Sequence, residues 1–361
     1  MRVICVAGAR PNFMKVKPVM DALAARGARV VFVHTGQHYD QAMSEVFLAD
    51  LGLRPPDHHL GAGSGSHAEQ VARVMLAFEP LVERLRPDAV VVVGDVNSTL
   101  ACALVTAKSA ARLAHVEAGL RSGDRSMPEE VNRVITDRVS DLLFAPSPDA
   151  AGNLRAEGCP PERIRLVGNV MVDTLLANLG RARRRGTLAG LGLTPGGYGL
   201  VTLHRSANVD DPGVLARLIA GLGRVGRLCP LVLPAHPRLT ARLAGLGAAA
   251  PGRRLPVGAL RVIPPAGYLD FVALEASARL VLTDSGGVQE ETTVLGVPCL
   301  TLRESTERPV TITEGTNRLV GTDPDVIAEA ARMVLADPPA PRRPALWDGR
   351  AAERIAAGLI P

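Results

Sequence analysis

Short apolar runs recur along the chain, each too brief for a helix and nearly continuous, as expected of strands buried on both faces of a parallel sheet. In the first half they are Val3–Val6, Val30–His34, Ala89–Val93, Ala114–Val116, Leu142–Ala145 and Ile164–Val167. In the second half they are Gly199–Leu203, Leu231–Leu233, Leu260–Ile263, Leu280–Thr283, Cys299–Leu302 and Arg318–Val320. Between most of them the apolar spacing turns helical, as in Val16–Ala25, Glu69–Arg86, Leu215–Arg224 and Pro324–Leu335. Strand and helix alternating on this scale predict βαβ units with right-handed crossovers, hence an α/β protein built from two doubly wound parallel sheets. The pattern pauses after Gly168–Asn169, before a Gly- and Arg-rich stretch from Gly180 to Gly199. This predicts a first domain over 1–169 and a second over 170–345. Pro338–Pro344 ends the last regular pattern, and the tail 346–361 is expected to form a helix packing back across the domains.

Length and composition narrow the class. With 361 residues, 47% hydrophobic and 21% charged, the chain exceeds the size at which one core usually splits, and it is not disordered. No stretch approaches the apolar length of a membrane span. The start, MRVICVAGARPNF, lacks the marks of a signal peptide. Five scattered cysteines, Cys5, Cys102, Cys159, Cys229 and Cys299, argue against a disulfide framework and for a reducing cytoplasm. Of 41 basic residues only Lys15, Lys17 and Lys108 are lysine, an arginine excess that reads as coding bias. The net charge of +5 comes without a basic run interleaved with aromatics, so an anionic small substrate is favoured over nucleic acid. The dense cluster Arg181–Arg185 falls where a solvated helix end or linker is expected.

Polar chemistry collects where strands end, which is where open α/β sheets bind ligands. Gly8–Ala9–Arg10–Pro11–Asn12 precedes a helix carrying Lys15. Such a turn offers N–H groups and a favourable dipole to an anion, although a plain tight turn fits equally. Gly94–Asp95 ends the third run, with Asn97 or Ser98 placed to cap the next helix. The following run ends in His115–Val116–Glu117. Two acids on neighbouring strand ends, with Arg121 and Arg133 in plausible reach, can be pushed to different protonation states, as acid/base chemistry requires. Glu129 and Glu130 follow Pro128 in ordinary helix-start order; that reading is favoured for Glu130 and stays open for Glu129. The second half places His204–Arg205 after its first strand. It also carries Asp284–Ser285–Gly286–Gly287, a turn into a helix whose N–H groups can cradle a diphosphate. Glu291 is placed to accept from a ribose diol, and Arg308 to neutralise remaining charge. No dinucleotide, ATP, serine-hydrolase or zinc-protease motif is present, and His58–His59 reads as an exposed loop, so no cofactor or metal is expected.

In order along the chain stand GARPNFMKVKP, TGQHYD, GDVNSTLA, HVEAGLRSGDRSMPEEVNR, GNVMVDTL, VTLHRSANVD, YLDFVALE and TDSGGVQEETTVLGVPCLTLRESTERP. This ordered set, covering nearly the whole chain, resembles the non-hydrolysing UDP-N-acetylglucosamine 2-epimerases. The resemblance implies a GT-B-like architecture, two Rossmann-like domains facing a central cleft, and a homodimer. It implies anti elimination of UDP to a bound 2-acetamidoglucal, then re-addition with protonation of the opposite C2 face. It places catalytic acids at Asp95, Glu117 and Glu129, active-site cations at Arg10, Lys15 and Arg133, and a histidine near the diphosphate at His204. It places the diphosphate cradle at Ser285, Gly286 and Gly287, the ribose ligand at Glu291, the uracil-site aromatic at Phe271 and a further cation at Arg308. Three positions depart from the common pattern. Ser206–Ala207–Asn208 lacks a glutamate before the asparagine, Ala266 stands where some members carry glutamine, and the TGQHYD segment with Gln41–Phe47 differs from members activated by a second substrate molecule. The rivals are a hydrolysing epimerase, a GT-B glycosyltransferase and a non-catalytic nucleotide-sugar binder.

Overall fold

The computed structural model describes residues 1–37, 49–245 and 260–360, with the side chain of Arg10 excepted. It divides into two compact units, 1–177 with 345–361, and 178–344. The division falls inside the helix Val170–Arg184, at Ala177/Asn178, instead of after Asn169.

The first unit contains a seven-stranded sheet of order β3-β2-β1-β4-β5-β6-β7. Its strands are β1 Arg2–Ala7, β2 Arg29–His34, β3 His58–His59, β4 Ala89–Val93, β5 Arg112–Val116, β6 Leu142–Ala145 and β7 Ile164–Leu166. Every pairing is parallel. β4 is five residues of Ala and Val, all buried, because helices cover both faces and β-branched side chains pack well on a pleated surface. The His58–His59 pair forms the edge strand against Val33 and His34, correcting the exposed-loop reading. Two histidines between turn residues carry no hydrophobic alternation, so the pairing left no mark in the sequence.

The second unit contains a six-stranded sheet of order β10-β9-β8-β11-β12-β13, again all parallel. Its strands are β8 Gly199–Thr202, β9 Leu231–Pro234, β10 Leu260–Ile263, β11 Leu280–Thr283, β12 Cys299–Thr301 and β13 Asn317–Leu319. One face packs Leu215, Leu218 and Leu222 of the helix Pro212–Val225 together with Ile327 and Val334 of the helix Pro324–Ala336. Both helices start on an aspartate, Asp211 and Asp323, whose carboxylate accepts from two backbone N–H groups of the first turn, with proline at the first helical position.

The strand order of each sheet reverses once, between β1 and β4 and between β8 and β11. Outside the carboxyl ends of such a switch point the flanking loops diverge and leave a crevice. The terminal segment belongs to the first unit. Trp347, the sole tryptophan, is buried and donates to the carbonyl of Pro146 at 2.9 Å, and the helix Ala351–Leu359 packs on the helix Arg10–Ala25. All five cysteines are free and buried. No helix among the described residues is long and apolar enough to cross a membrane.

Candidate active site

At the first switch point Asn12 ties two strand ends together. Its side-chain oxygen accepts from the N–H groups of Gly8 and Ala9 at 3.2 and 2.9 Å, and its amide donates to the carbonyl of Val93 at 3.1 Å. Gly94 follows β4 in the left-handed region (φ 66°), which favours glycine, and a Cβ there would crowd Lys15 Nζ at 3.0 Å. The chain therefore turns directly beneath Lys15, and Asp95 emerges beside it.

Each of the two expected acids has its own cation. Asp95 accepts from Arg133 Nε and Nη2 at 2.9 and 2.7 Å. Glu117 is ion-paired to Lys15, with both side chains nearly excluded from solvent. Asp95 and Glu117 follow adjacent strands, since β4 and β5 pair from Ala89–Arg112 to Val93–Val116. Glu117 has φ 73°, a conformation that costs a non-glycine residue on the order of 1–3 kcal/mol and is typical of functional positions. Arg121 joins neither acid; it pairs with Asp137 at 2.8 Å and with Glu157 at 2.7 Å, correcting the expectation that it flanks them.

The helix Pro128–Val139 supplies the support. Glu130 accepts from the N–H groups of Ser122 and Gly123 at 2.9 Å and from Arg133 Nη1 at 2.7 Å, so it holds a loop and aims a guanidinium. Burial pushes its carboxyl up, but these hydrogen bonds outweigh burial and hold it below the ordinary value. Glu129, half-buried in the same first turn, is not brought into the Asp95 or Glu117 pair by any described contact. Asn132 donates to the Asp95 carbonyl at 2.8 Å, Asn97 bonds Gln70 at 2.8 Å, and Ser98 bonds Gln37 at 2.8 Å. Neither Asn97 nor Ser98 caps its helix, whose N-cap is Val96 without a side-chain cap. His115 is fully buried, its two ring nitrogens facing Asp137 at 2.6 Å and the Gly94 carbonyl at 2.8 Å. Arg10 begins the helix Arg10–Ala25, but its side chain lies outside the described residues, as do residues 38–40 of TGQHYD and the segment Gln41–Phe47.

At the second switch point Asp284, fully buried at the end of β11, gathers β8's exit. It accepts from His204 Nδ1 at 2.7 Å, from the backbone N–H of His204 and Arg205 at 3.1 Å, and from Asn208 at 3.2 Å. Burial is the largest influence and raises its carboxyl, yet the His204 bonds and the two N–H groups keep it below the usual range. His204 is 60% exposed, so with Nδ1 committed to Asp284 its Nε2 is free to meet a ligand. Asn208 also donates to the Leu302 carbonyl, a role that needs no glutamate before it.

The helix Gly286–Leu295 opens on Ser285 without a side-chain cap, so its first N–H groups point out unclaimed by Ser285. Arg308 lies across Gly286, where a Cβ would come within 2.7 Å of Cζ. Arg308 donates to Glu290 at 2.7 Å, and Glu307 collects Arg205 at 2.9 Å, Arg303 at 3.0 Å and Arg308 at 3.3 Å. Arg205, Arg303 and Arg308 gather beside the helix N-terminus, balanced by Glu290, Glu307 and Asp284, and there the unclaimed N–H groups and the helix dipole favour an anion. Burial raises the Glu307 carboxyl, but Arg308, Arg303 and Arg205 overwhelm it and hold it far below the ordinary range. Sequence reading named Arg308 and placed Arg205 after the second half's first strand but gave no part to Arg303 or Glu307; the i, i+4 spacing of Arg303 and Glu307 was the available signal. Phe271 and Ala266 sit partly buried against a cluster that includes Tyr198, Leu274 and Val288. Glu291 is buried on the helix Gly286–Leu295 beside Glu275 and Tyr268 of the helix Tyr268–Ala276.

Two doubly wound sheets with polar residues at both switch points define a GT-B-like nucleotide-sugar fold. The likeness extends to TcCGT1 in complex with UDP, at 13% identity and TM-score 0.62 over 99% of this chain and 93% of that one, a likeness of fold alone. The sequence profile described as UDP-N-acetylglucosamine 2-epimerase matches residues 21–360. UDP-GlcNAc 2-epimerase from Methanocaldococcus jannaschii, solved in complex with UDP-GlcNAc and UDP, superposes with TM-score 0.89 at 38% identity over 99% of both chains. UDP-2,3-diacetamido-2,3-dideoxy-D-glucuronate 2-epimerase of Pseudomonas aeruginosa is 40% identical over 99% of both. The chain belongs to the UDP-N-acetylglucosamine 2-epimerase family and is an isomerase.

Proposed function

We propose that this enzyme interconverts UDP-N-acetylglucosamine and UDP-N-acetylmannosamine without releasing free sugar. The carrying observation is the pair of acids just beyond the ends of adjacent strands, Asp95 with Arg133 and Glu117 with Lys15, each with a separate cation. The C2 proton is weakly acidic, so its removal must be coupled to stabilised departure of a leaving group. In the forward step the C2–H bond breaks toward a carboxylate while the C1–O bond breaks toward UDP, leaving 2-acetamidoglucal. UDP then re-adds at C1 as a carboxyl group delivers a proton to the other face of C2. Asp95 and Glu117 are the catalytic carboxyls, with Glu129 as a third acid of the same region. Arg10, Lys15 and Arg133 supply positive charge on the sugar side.

The second unit retains the leaving group. His204 Nε2, the first N–H groups after Ser285 at Gly286 and Gly287, and Arg308 bind the diphosphate; Glu291 meets the ribose and Phe271 the uracil. Retention of UDP separates epimerisation from hydrolysis. The working form is a homodimer, supported by the exposed apolar stripe Val131, Val134 and Ile135 on the helix Pro128–Val139. Five buried thiols suit a reducing cytoplasm.

Incubation with UDP-N-acetylglucosamine in deuterated water, followed by NMR, tests the reading. Both UDP-sugars should appear with deuterium at C2, and accumulation of UDP with free N-acetylmannosamine would replace it with the hydrolysing reaction. The 40% identity to the diacetamido-glucuronate epimerase makes that UDP-sugar the second substrate to offer.

A further inference from the structure

Glu275 has no part in the chemistry above, yet it is a fully buried carboxyl with no ion-pair partner among the described residues. Both its oxygens and Oε1 of Glu291 lack an aligned hydrogen bond, while the Glu275 carboxyl and the Tyr268 hydroxyl both interact with Glu291. Two carboxyl groups buried side by side cannot both ionise, so the cluster carries at least one proton. A leucine of similar size would pack there without that penalty.

The charged surroundings of this cluster are few. On the helix Gly286–Leu295, Glu290 adjoins Glu291 and is itself held by Arg308. From β12 the Cys299 thiol faces Glu275, and burial pushes it up to about 12. The helices Thr187–Leu191 and Val310–Thr313 and the strand β11 contain no titratable residue, and Arg318 on β13 is exposed.

We propose that Glu275 is a positioning residue that keeps its proton and donates a hydrogen bond to Glu291, and that nucleotide binding drives the proton of Glu291 into solvent. The inference rests on the reading that Glu291 meets the ribose. Two ribose hydroxyls donate best to a carboxylate, so binding favours the ionised form of Glu291. Burial, with Glu290 next in effect, pushes the Glu291 carboxyl up to about 8 before ligand arrives, so at pH 7 most molecules must lose a proton to bind.

Calorimetric titration of the full chain with UDP and with 2′,3′-dideoxy-UDP, in buffers of different ionisation enthalpy, reads that proton. At pH 7 UDP should release about one proton more than the dideoxy analogue, and its affinity should rise about eightfold between pH 7 and pH 8.5. Glu275→Gln keeps the size, the neutral charge and an N–H donor to Glu291, so proton release and the pH profile should match wild type. Glu275→Leu, which removes that donor, should weaken UDP but not the dideoxy analogue and move the pH profile to higher pH, and its melting temperature reports folding separately. Equal affinity for the two nucleotides would overturn the ribose reading and this inference together. Stronger binding of UDP than of the dideoxy analogue with no extra proton released, or a Glu275→Gln variant that behaves like Glu275→Leu, would overturn this inference alone.

Discussion

The Lys15–Glu117 pair illustrates how one residue's role depends on its partner's. Both side chains are buried, and taking one away leaves the other's charge in a low-dielectric site without this ion pair. Glu117→Gln and Lys15→Met should therefore each lose about 3 kcal/mol in denaturant unfolding. The double variant Lys15→Met/Glu117→Leu should recover most of that loss and still lack turnover. If the double variant were as unstable as the singles, the φ of 73° at residue 117, rather than the buried charges, would dominate. Asp95 is more open, at 22% side-chain exposure, and its guanidinium partner keeps Glu130 when Asp95 is neutralised. Asp95→Asn is thus expected to fold normally, hold UDP within twofold of wild type, and lower kcat by 100- to 10,000-fold. Near-normal turnover by this variant removes Asp95 from the chemistry. Both acids were legible because each directly follows an apolar run. Their cations were legible only in part: Arg133 is five residues inside the next helix and reaches back, whereas Arg121, nearer in sequence, turns to Asp137 and Glu157.

At the scale of elements, the twelve apolar runs all became strands, the inner ones because a strand buried on both faces must be apolar along its whole length, whereas the edge strands β7 and β13 each bury only their first residue. β3 escaped because two polar residues need only two neighbours to pair. The start at Pro324 was legible in the spacing, but the helix Pro212–Val225 begins three residues before Leu215, where Asp211 before a proline was the unused signal. The terminal helix hid its anchor. Ala351 and Ala352 donate to Asp173 at 3.1 and 2.8 Å, and Asp173 lies far away in sequence on another helix. Burial pushes the Asp173 carboxyl up to about 6, more than the two N–H groups lower it. Since its folded value exceeds the unfolded one, its contribution to stability is fully present below about pH 4 and is lost as pH rises through about 6. Asp173→Asn, which cannot titrate, removes that slope. The stability difference between variant and wild type should change by on the order of 3 kcal/mol across pH 4 to 7, in the variant's favour as pH rises. A constant difference over that range would show that the carboxyl titrates near its ordinary value.

At the scale of the molecule, alternation read from sequence predicted two doubly wound sheets, but what covers their outer faces is not periodic information. The helix Pro128–Val139 shows the consequence. Asn132, Arg133, Thr136 and Asp137 point inward, while Val131, Val134 and Ile135, spaced three and four apart, point outward and stay exposed. Leu76 on the helix His67–Leu85 is 73% exposed, and the helix Asn97–Thr106 packs against both of these helices. Single exposed apolar residues are ordinary, but a helical stripe on the element that carries Arg133 is what the proposed homodimer would cover with a second copy of the chain. Val134→Glu with Ile135→Glu places two charges on that stripe without touching an inward residue. Sedimentation should then show a monomer where wild type is a dimer, and the melting temperature should fall little in a unit whose core is unaltered. Turnover carries the sharper information, because Glu130, Asn132 and Arg133 lie on the same three turns as the stripe. If pairing steadies that helix, the monomer should lose kcat while retaining UDP affinity, since the proposed UDP ligands lie in the other unit. A monomeric wild type, or a fully active monomeric variant, would leave the stripe without a catalytic consequence.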